Sequence, residues 1–124
     1  MIGDINMKNT IKKPLGIHIL LELYECNKEI LNNLDFVEDK MVKSAVLAGA
    51  DVREFVFHKF NPQGVTGVVV IAESHITIHT WPELEYAAID VFTCGSKVKP
   101  QKAVNFLIRK FSADDVKIKE IKRG

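Results

Sequence analysis

Along LGIHILLELYEC, residues 15–26, Ile17, Ile19, Leu21 and Leu23 alternate with His18, Glu22 and Tyr24, and Leu20 is the one exception. A period of two predicts a strand with one face in the core. Over 34–48 the period changes: Leu34, Val37, Met41, Ala45 and Ala48 recur at helical spacing, Asp35 with Glu38 resembles a capping box, and Gly49 supplies a stop. VREFVFHKF (52–60) returns to strand character, and Pro62-Gln63-Gly64 makes a turn. GVVVIA then begins a strand apolar on both faces, which ITIHTW continues in β-branched and aromatic residues until Pro82 ends it. YAAIDVFTC (86–94) is a further strand, stopped by Gly95. Residues 100–111 set Ala103, Val104, Leu107, Ile108 and Phe111 on one helical stripe with Pro100 in the first turn, and VKIKEI (116–121) is a short final strand.

The predicted order is β-α-β-β-β-α-β. Adjacent strands joined by short turns, with two helices, imply an α+β two-layer sandwich: a largely antiparallel sheet with both helices on one face. Residues 1–14 read as a flexible lead-in ended by Pro14, and 15–124 as a single domain. The second face of the sheet is either solvated or paired with another subunit. The doubly apolar run 68–72 favours pairing, so a dimer or higher oligomer is expected.

Composition narrows this picture without redirecting it. A chain of 124 residues, 47% hydrophobic and 27% charged, suits one soluble domain. With a net charge of +1 and only short Lys-rich pieces at 8–13 and 117–123, no nucleic-acid stripe is expected. The apolar runs fall far short of the ~20 residues that cross a bilayer, and MIGDINMKNTIKKP lacks the apolar core of a signal peptide. The expectation is a cytoplasmic protein that does not touch membranes, with Cys26 and Cys94 as free thiols.

The candidate chemistry sits in AESHITIHTWPE, residues 72–83, directly after the most hydrophobic run. His75 and His79 have zinc-helix spacing, but in a strand four residues separate two imidazoles by ~13 Å, too far for one ion. Ser74 could be a nucleophile, yet no nucleophile elbow surrounds it, and alternation puts it on the face opposite His75, Thr77 and His79. For His79 to serve Ser74 the backbone must bend near 73–75. Taken singly, these residues fit the solvated side of a sheet, and Cys94 fits small core filler.

Taken together they resemble one family. FHKFNPQGVTGVVV, ESHITIHTWPE and AAIDVFTCG, in that order and spacing, are similar to the prokaryotic S-adenosylmethionine decarboxylases, pyruvoyl-dependent enzymes; LGIHILLELYEC resembles their first strand. The resemblance spans roughly 14–112 and implies self-cleavage between Glu73 and Ser74 into chains 1–73 and 74–124. The Ser74 hydroxyl attacks the Glu73 carbonyl on a strained backbone. His79 acts as the processing base that takes the Ser74 α-proton, and the residue becomes a covalent pyruvoyl group. That group forms a Schiff base with the substrate amine and accepts electrons as CO₂ leaves. Cys94 is then implied as the proton donor to carbon. The resemblance also implies Glu83 as the acceptor of ribose hydroxyls, Thr66 as the hydroxyl supporting processing where many members carry serine, and Phe60 as a candidate to stack on adenine.

The implied activity is decarboxylation of S-adenosylmethionine to the aminopropyl donor of spermidine synthesis. A pyruvoyl-dependent arginine decarboxylase would keep Ser74, His79 and Cys94 and change the substrate contacts. A non-catalytic α/β regulatory or binding module would instead leave the chain intact.

Overall fold

The computed structural model describes residue 11 and residues 13–124, so most of the predicted lead-in lies outside the described residues. Six strands form one antiparallel sheet: β1 (Gly16–Tyr24), β2 (Asp51–Lys59), β3 (Val65–Ala72), β4 (Ser74–Trp81), β5 (Tyr86–Cys94) and β6 (Asp115–Arg123). They lie in the order β2-β3-β4-β5-β1-β6. Helices α1 (Lys28–Leu31), α2 (Leu34–Leu47) and α3 (Pro100–Lys110) complete the elements, with a one-turn 3-10 helix at Pro82–Leu84. The α+β, two-layer, antiparallel expectation holds. Among the described residues, no helix is long and apolar enough to cross a membrane.

The strand count differs from the expectation. Residues 67–81, read as one continuous strand, are a tight hairpin, β3 and β4, turning at Glu73. Val70 pairs with His75 and Ile71 with Ser74, so the chain reverses through two residues, Ala72 and Glu73. The β-branched composition is uniform on both sides of them, and no Gly, Pro or Asn marks the turn. Composition alone therefore concealed it.

Two further differences concern helix starts. The capping box expected from Asp35 and Glu38 does not form; Asn33 caps α2, its side chain accepting from the Phe36 N–H at 3.0 Å. Asn27 does the same for α1, a helix with too few residues to show a period. Pro100 occupies the first turn of α3 as expected. Gly49, at φ 89, takes the left-handed conformation that ends α2.

The core is built from one face of the sheet. Ile19, Leu21 and Leu23 of β1, Val69 and Ile71 of β3, Ile76 and Ile78 of β4, and Ile89 and Val91 of β5 are all buried. Met41 and Ala45 of α2 and Val104 and Leu107 of α3 close over them. Among the described residues, the opposite face carries no helix. Its rows include Leu20, Val68, Val70 and Trp81 beside His18, Thr77, His79 and Asp90, and Val70 and Trp81 are 39% and 38% exposed.

Candidate active site

The candidate residues fall into two groups, one at each end of the β3–β4–β5 ribbon. At the first end, Glu73 is the hairpin turn and Ser74 opens β4. Ser74 has φ 118, a region that L-residues with a side chain adopt only under strain. It pairs with Ile71 on one side and Thr93 on the other, so the next residue of β5, Cys94, lies beside it. This is the neighbourhood expected from the strand ends.

The Cys94 thiol packs directly against a glycine. Gly16 of β1 is the register partner of Cys94. A Cβ built on it would come within 3.0 Å of the Cys94 Sγ and 2.8 Å of the Phe92 ring. The backbone of Gly16 is thus in direct contact with the thiol and the Phe92 ring, and any side chain there would displace them. Ser74 opens on the same rim of the sheet. Phe92 is bordered by the rings of His18 and His75, at 5.7 and 5.8 Å, and by the Arg123 guanidinium at 5.1 Å.

At the other end, Thr66 and His79 face each other across β3 and β4. The Thr66 Oγ1 and His79 Nδ1 are 3.0 Å apart, a hydrogen bond that orients the imidazole. Phe60, Gln63, Gly64, Thr66, His79, Thr80, Trp81 and Glu83 line one hollow here. Glu83 sits in the one-turn helix that follows Trp81, with Pro82 at its first position. Phe60 and Gly64 close the intervening turn through the Phe60 N–H and Gly64 carbonyl, 2.8 Å apart.

Within one chain the two groups stay apart. Ser74 and His79 are five residues apart on an extended strand, roughly 16 Å at ~3.3 Å per residue. The expected bend near 73–75 exists, but it precedes Ser74. It therefore does not carry His79 back to Ser74.

Several site features left no readable signal in the sequence. His18 Nε2 lies 2.9 Å from the Asp90 Oδ1, and the Thr77 hydroxyl donates to the other Asp90 oxygen at 3.2 Å. These three sit in the middle of the uncovered face, brought together from β1, β4 and β5. The Tyr86 hydroxyl donates to the Glu22 carboxylate nearby. Burial, and then that bond, push the Tyr86 hydroxyl well above the ordinary tyrosine range. The side chain of Asn32, just past α1, accepts from the Gly64 N–H at 2.9 Å and so ties down the turn that carries Phe60. Pairings across 32 to 72 positions have no local pattern to announce them.

The model of the S-adenosylmethionine decarboxylase family matches residues 17–124. This chain belongs to the S-adenosylmethionine decarboxylase family. A relative from Clostridium kluyveri, named S-adenosylmethionine decarboxylase proenzyme, is 62% identical over 110 residues, covering 89% of this chain and 87% of the relative. One of the same name from Syntrophomonas wolfei is 62% identical over 112 residues, covering 90% and 89%. Among solved structures, the adenosylmethionine decarboxylase of Aquifex aeolicus VF5 superposes with a TM-score of 0.86 at 33% identity, over 91% of this chain and 93% of that one. The family match therefore runs through both ends of the site, from β1 to β6.

Proposed function

We propose that this chain is a self-processing, pyruvoyl-dependent S-adenosylmethionine decarboxylase. The observation that carries the reading is the setting of Glu73-Ser74: a hairpin turn, a strained Ser74, and the Cys94 strand end alongside, in a chain of this family.

Processing is chemistry of the chain itself. The Ser74 Oγ attacks the Glu73 carbonyl carbon, the amide nitrogen leaves it, and an ester replaces the peptide bond. A base removes the Ser74 α-proton, and the Cβ–Oγ bond breaks to release Glu73 as the free carboxylate end of chain 1–73. The residue left at 74 exchanges its nitrogen for a water oxygen, releases ammonia and becomes the pyruvoyl group. The strain at Ser74 favours the first step, because the planar trans amide is otherwise inert.

The base is His79. With Thr66 accepting from Nδ1–H, the Nε2 lone pair is free to take a proton. Since ~16 Å of strand separate Ser74 from His79 in one chain, the His79 that serves Ser74 comes from a second copy. Two sheets stack ≈ 10 Å apart through their uncovered faces. A two-fold axis near Thr77, midway along β4, exchanges the ends and sets each His79 over the other chain's Ser74. Leu20, Val56, Val68, Val70 and Trp81 give that face the apolar surface such stacking requires.

The pyruvoyl group supplies the ketone that takes up the substrate amine and the electron sink for loss of CO₂. Cys94 delivers the proton to carbon, Glu83 accepts the ribose hydroxyls, and Phe60 stacks on the base. The product is the aminopropyl donor for spermidine. The reaction has no membrane or nucleic-acid partner and belongs in the cytoplasm.

Denaturing mass spectrometry of the purified protein tests processing. Chains 1–73 and 74–124 are expected, the second without a free amine, and Ser74→Ala leaves one intact chain. An uncleaved wild-type chain that stays so on incubation contradicts the proposal. Carbon dioxide release from carboxyl-labelled S-adenosylmethionine, with labelled arginine as the competing substrate, tests the substrate. Release from arginine alone refutes it.

A further inference from the structure

The hollow that holds Phe60 and Glu83 has one more side chain suited to its ligand. We infer that Gln63 reads the adenine edge of the substrate and makes this residue a determinant of base specificity; the inference rests on the reading of this hollow as the nucleoside pocket.

Most polar groups that line the hollow already have partners. Thr66 and His79 bond to each other at 3.0 Å. The Thr80 hydroxyl is consumed twice, accepting from the Val65 N–H and donating to the Leu31 carbonyl, both at 2.9 Å. The Gly64 N–H is held by Asn32 at 2.9 Å. Glu83 as a carboxylate only accepts, the Trp81 indole only donates, and Phe60 does neither. Gln63 remains: an exposed amide with a donor and an acceptor side by side. Adenine presents the complement, the N6 amino donor beside the N7 acceptor, and glutamine is a bidentate partner for that pair.

Its mounting suits the task. Gln63 lies in the short turn between Phe60 and Gly64, closed by the Phe60–Gly64 backbone bond at 2.8 Å and pinned at Gly64 by Asn32. The residue that stacks the base and the residue that reads its edge thus share one anchored turn. Precision at a recognition site depends on such support.

The test compares S-adenosylmethionine with its hypoxanthine counterpart, in which oxygen replaces the 6-amino group. Wild type is expected to prefer adenine by about tenfold or more in kcat/KM, the discrimination of one bidentate pair. Gln63→Ala and Gln63→Glu are expected to raise KM for S-adenosylmethionine, leave kcat within about twofold, and lose most of the preference. Cleavage into the two chains proceeds as in wild type, which reports that the variants fold. If wild type discriminates and Gln63→Ala keeps both its KM and its preference, or if wild type shows no preference, Gln63 does not read the base while the decarboxylase reading stands. No CO₂ from S-adenosylmethionine with the cleaved wild type removes both.

Discussion

The two ends of the β3–β4 hairpin are made of the same kinds of residue and do opposite things. At the turn, Ser74 sits at φ 118 with Cys94 as a neighbour and the thiol packed against the backbone of Gly16. At the open end, regular strand geometry holds Thr66 against His79, and the Phe60 turn and the Glu83 helix border them. One end is strained; the other is regular strand with a polar hollow at its rim. Bond breaking profits from the first condition and ligand recognition from the second. A strand cannot bring its own ends together, so the proposed service of Ser74 by His79 requires a partner chain.

Mixing two inactive variants tests most strongly whether the two ends meet across chains. Ser74→Ala cannot form the reactive group, and His79→Ala lacks the base. Co-expressed chains that share sites across a two-fold pair one good Ser74 with one good His79 in half of the dimers. Roughly a quarter of wild-type sites are then cleaved and active. Sites confined to one chain give none, so the absence of complementation in a sample shown to contain mixed dimers ends the two-chain reading.

The next effect concerns the ordered end alone. Asn32→Ala leaves the Gly64 N–H without its partner and loosens the turn that carries Phe60 and Gln63. One hydrogen bond of this kind is worth about 1 kcal/mol, so KM for S-adenosylmethionine is expected to rise roughly fivefold with kcat and cleavage little changed. Steady-state kinetics on the cleaved enzyme checks it. A fall in kcat at constant KM would mean that the two ends do not divide the work in this way.

Much of this contrast was legible in the sequence, but unevenly. The period-two and helical stripes predicted the two layers, and ESHITIHTWPE with FTCG singled out Ser74, His79 and Cys94 as candidates through their family resemblance. What stayed hidden was where the chain reverses. GVVVIAESHITIHTW keeps one β-branched texture through Glu73, so a hairpin and a straight strand read alike. The strained turn at Ser74 is made by pairing Val70 with His75 and Ile71 with Ser74. Asn32, His18 and Asp90 were equally silent, since each finds its partner far along the chain.

A smaller effect separates support from chemistry. Gly67 of β3 lies under the Phe57 ring, and a Cβ there would meet ring carbons at 1.9 and 2.1 Å. Gly67→Ala must displace the ring from the sheet. Overpacking of this kind costs about 1–3 kcal/mol of stability, to be read in the denaturant midpoint. Self-cleavage should survive, because neither end of the hairpin is touched. Loss of cleavage in a folded Gly67→Ala protein would show that the middle of β3 transmits strain to Ser74.

The smallest effect contrasts the two thiols. Cys94 is partly exposed at the reactive rim, whereas Cys26 is 2% exposed beneath the helices. Burial first, then the carboxylates of Glu85 and Asp114, push the Cys26 thiol from 9.0 up to about 11. A thiol reagent at pH 8 should therefore label chain 74–124 of the cleaved protein well before chain 1–73. The same shift fixes a sign. The fold holds the Cys26 proton more tightly than the unfolded chain does, so its contribution to stability is whole below pH 9 and is lost as pH climbs through about 11. Alkaline unfolding curves of Cys26→Ala should be flatter across that window than those of wild type. Faster labelling of chain 1–73 would mean that the core opens at Cys26 more readily than the rim at Cys94, and the contrast between a sealed helix layer and a reactive sheet edge would fail.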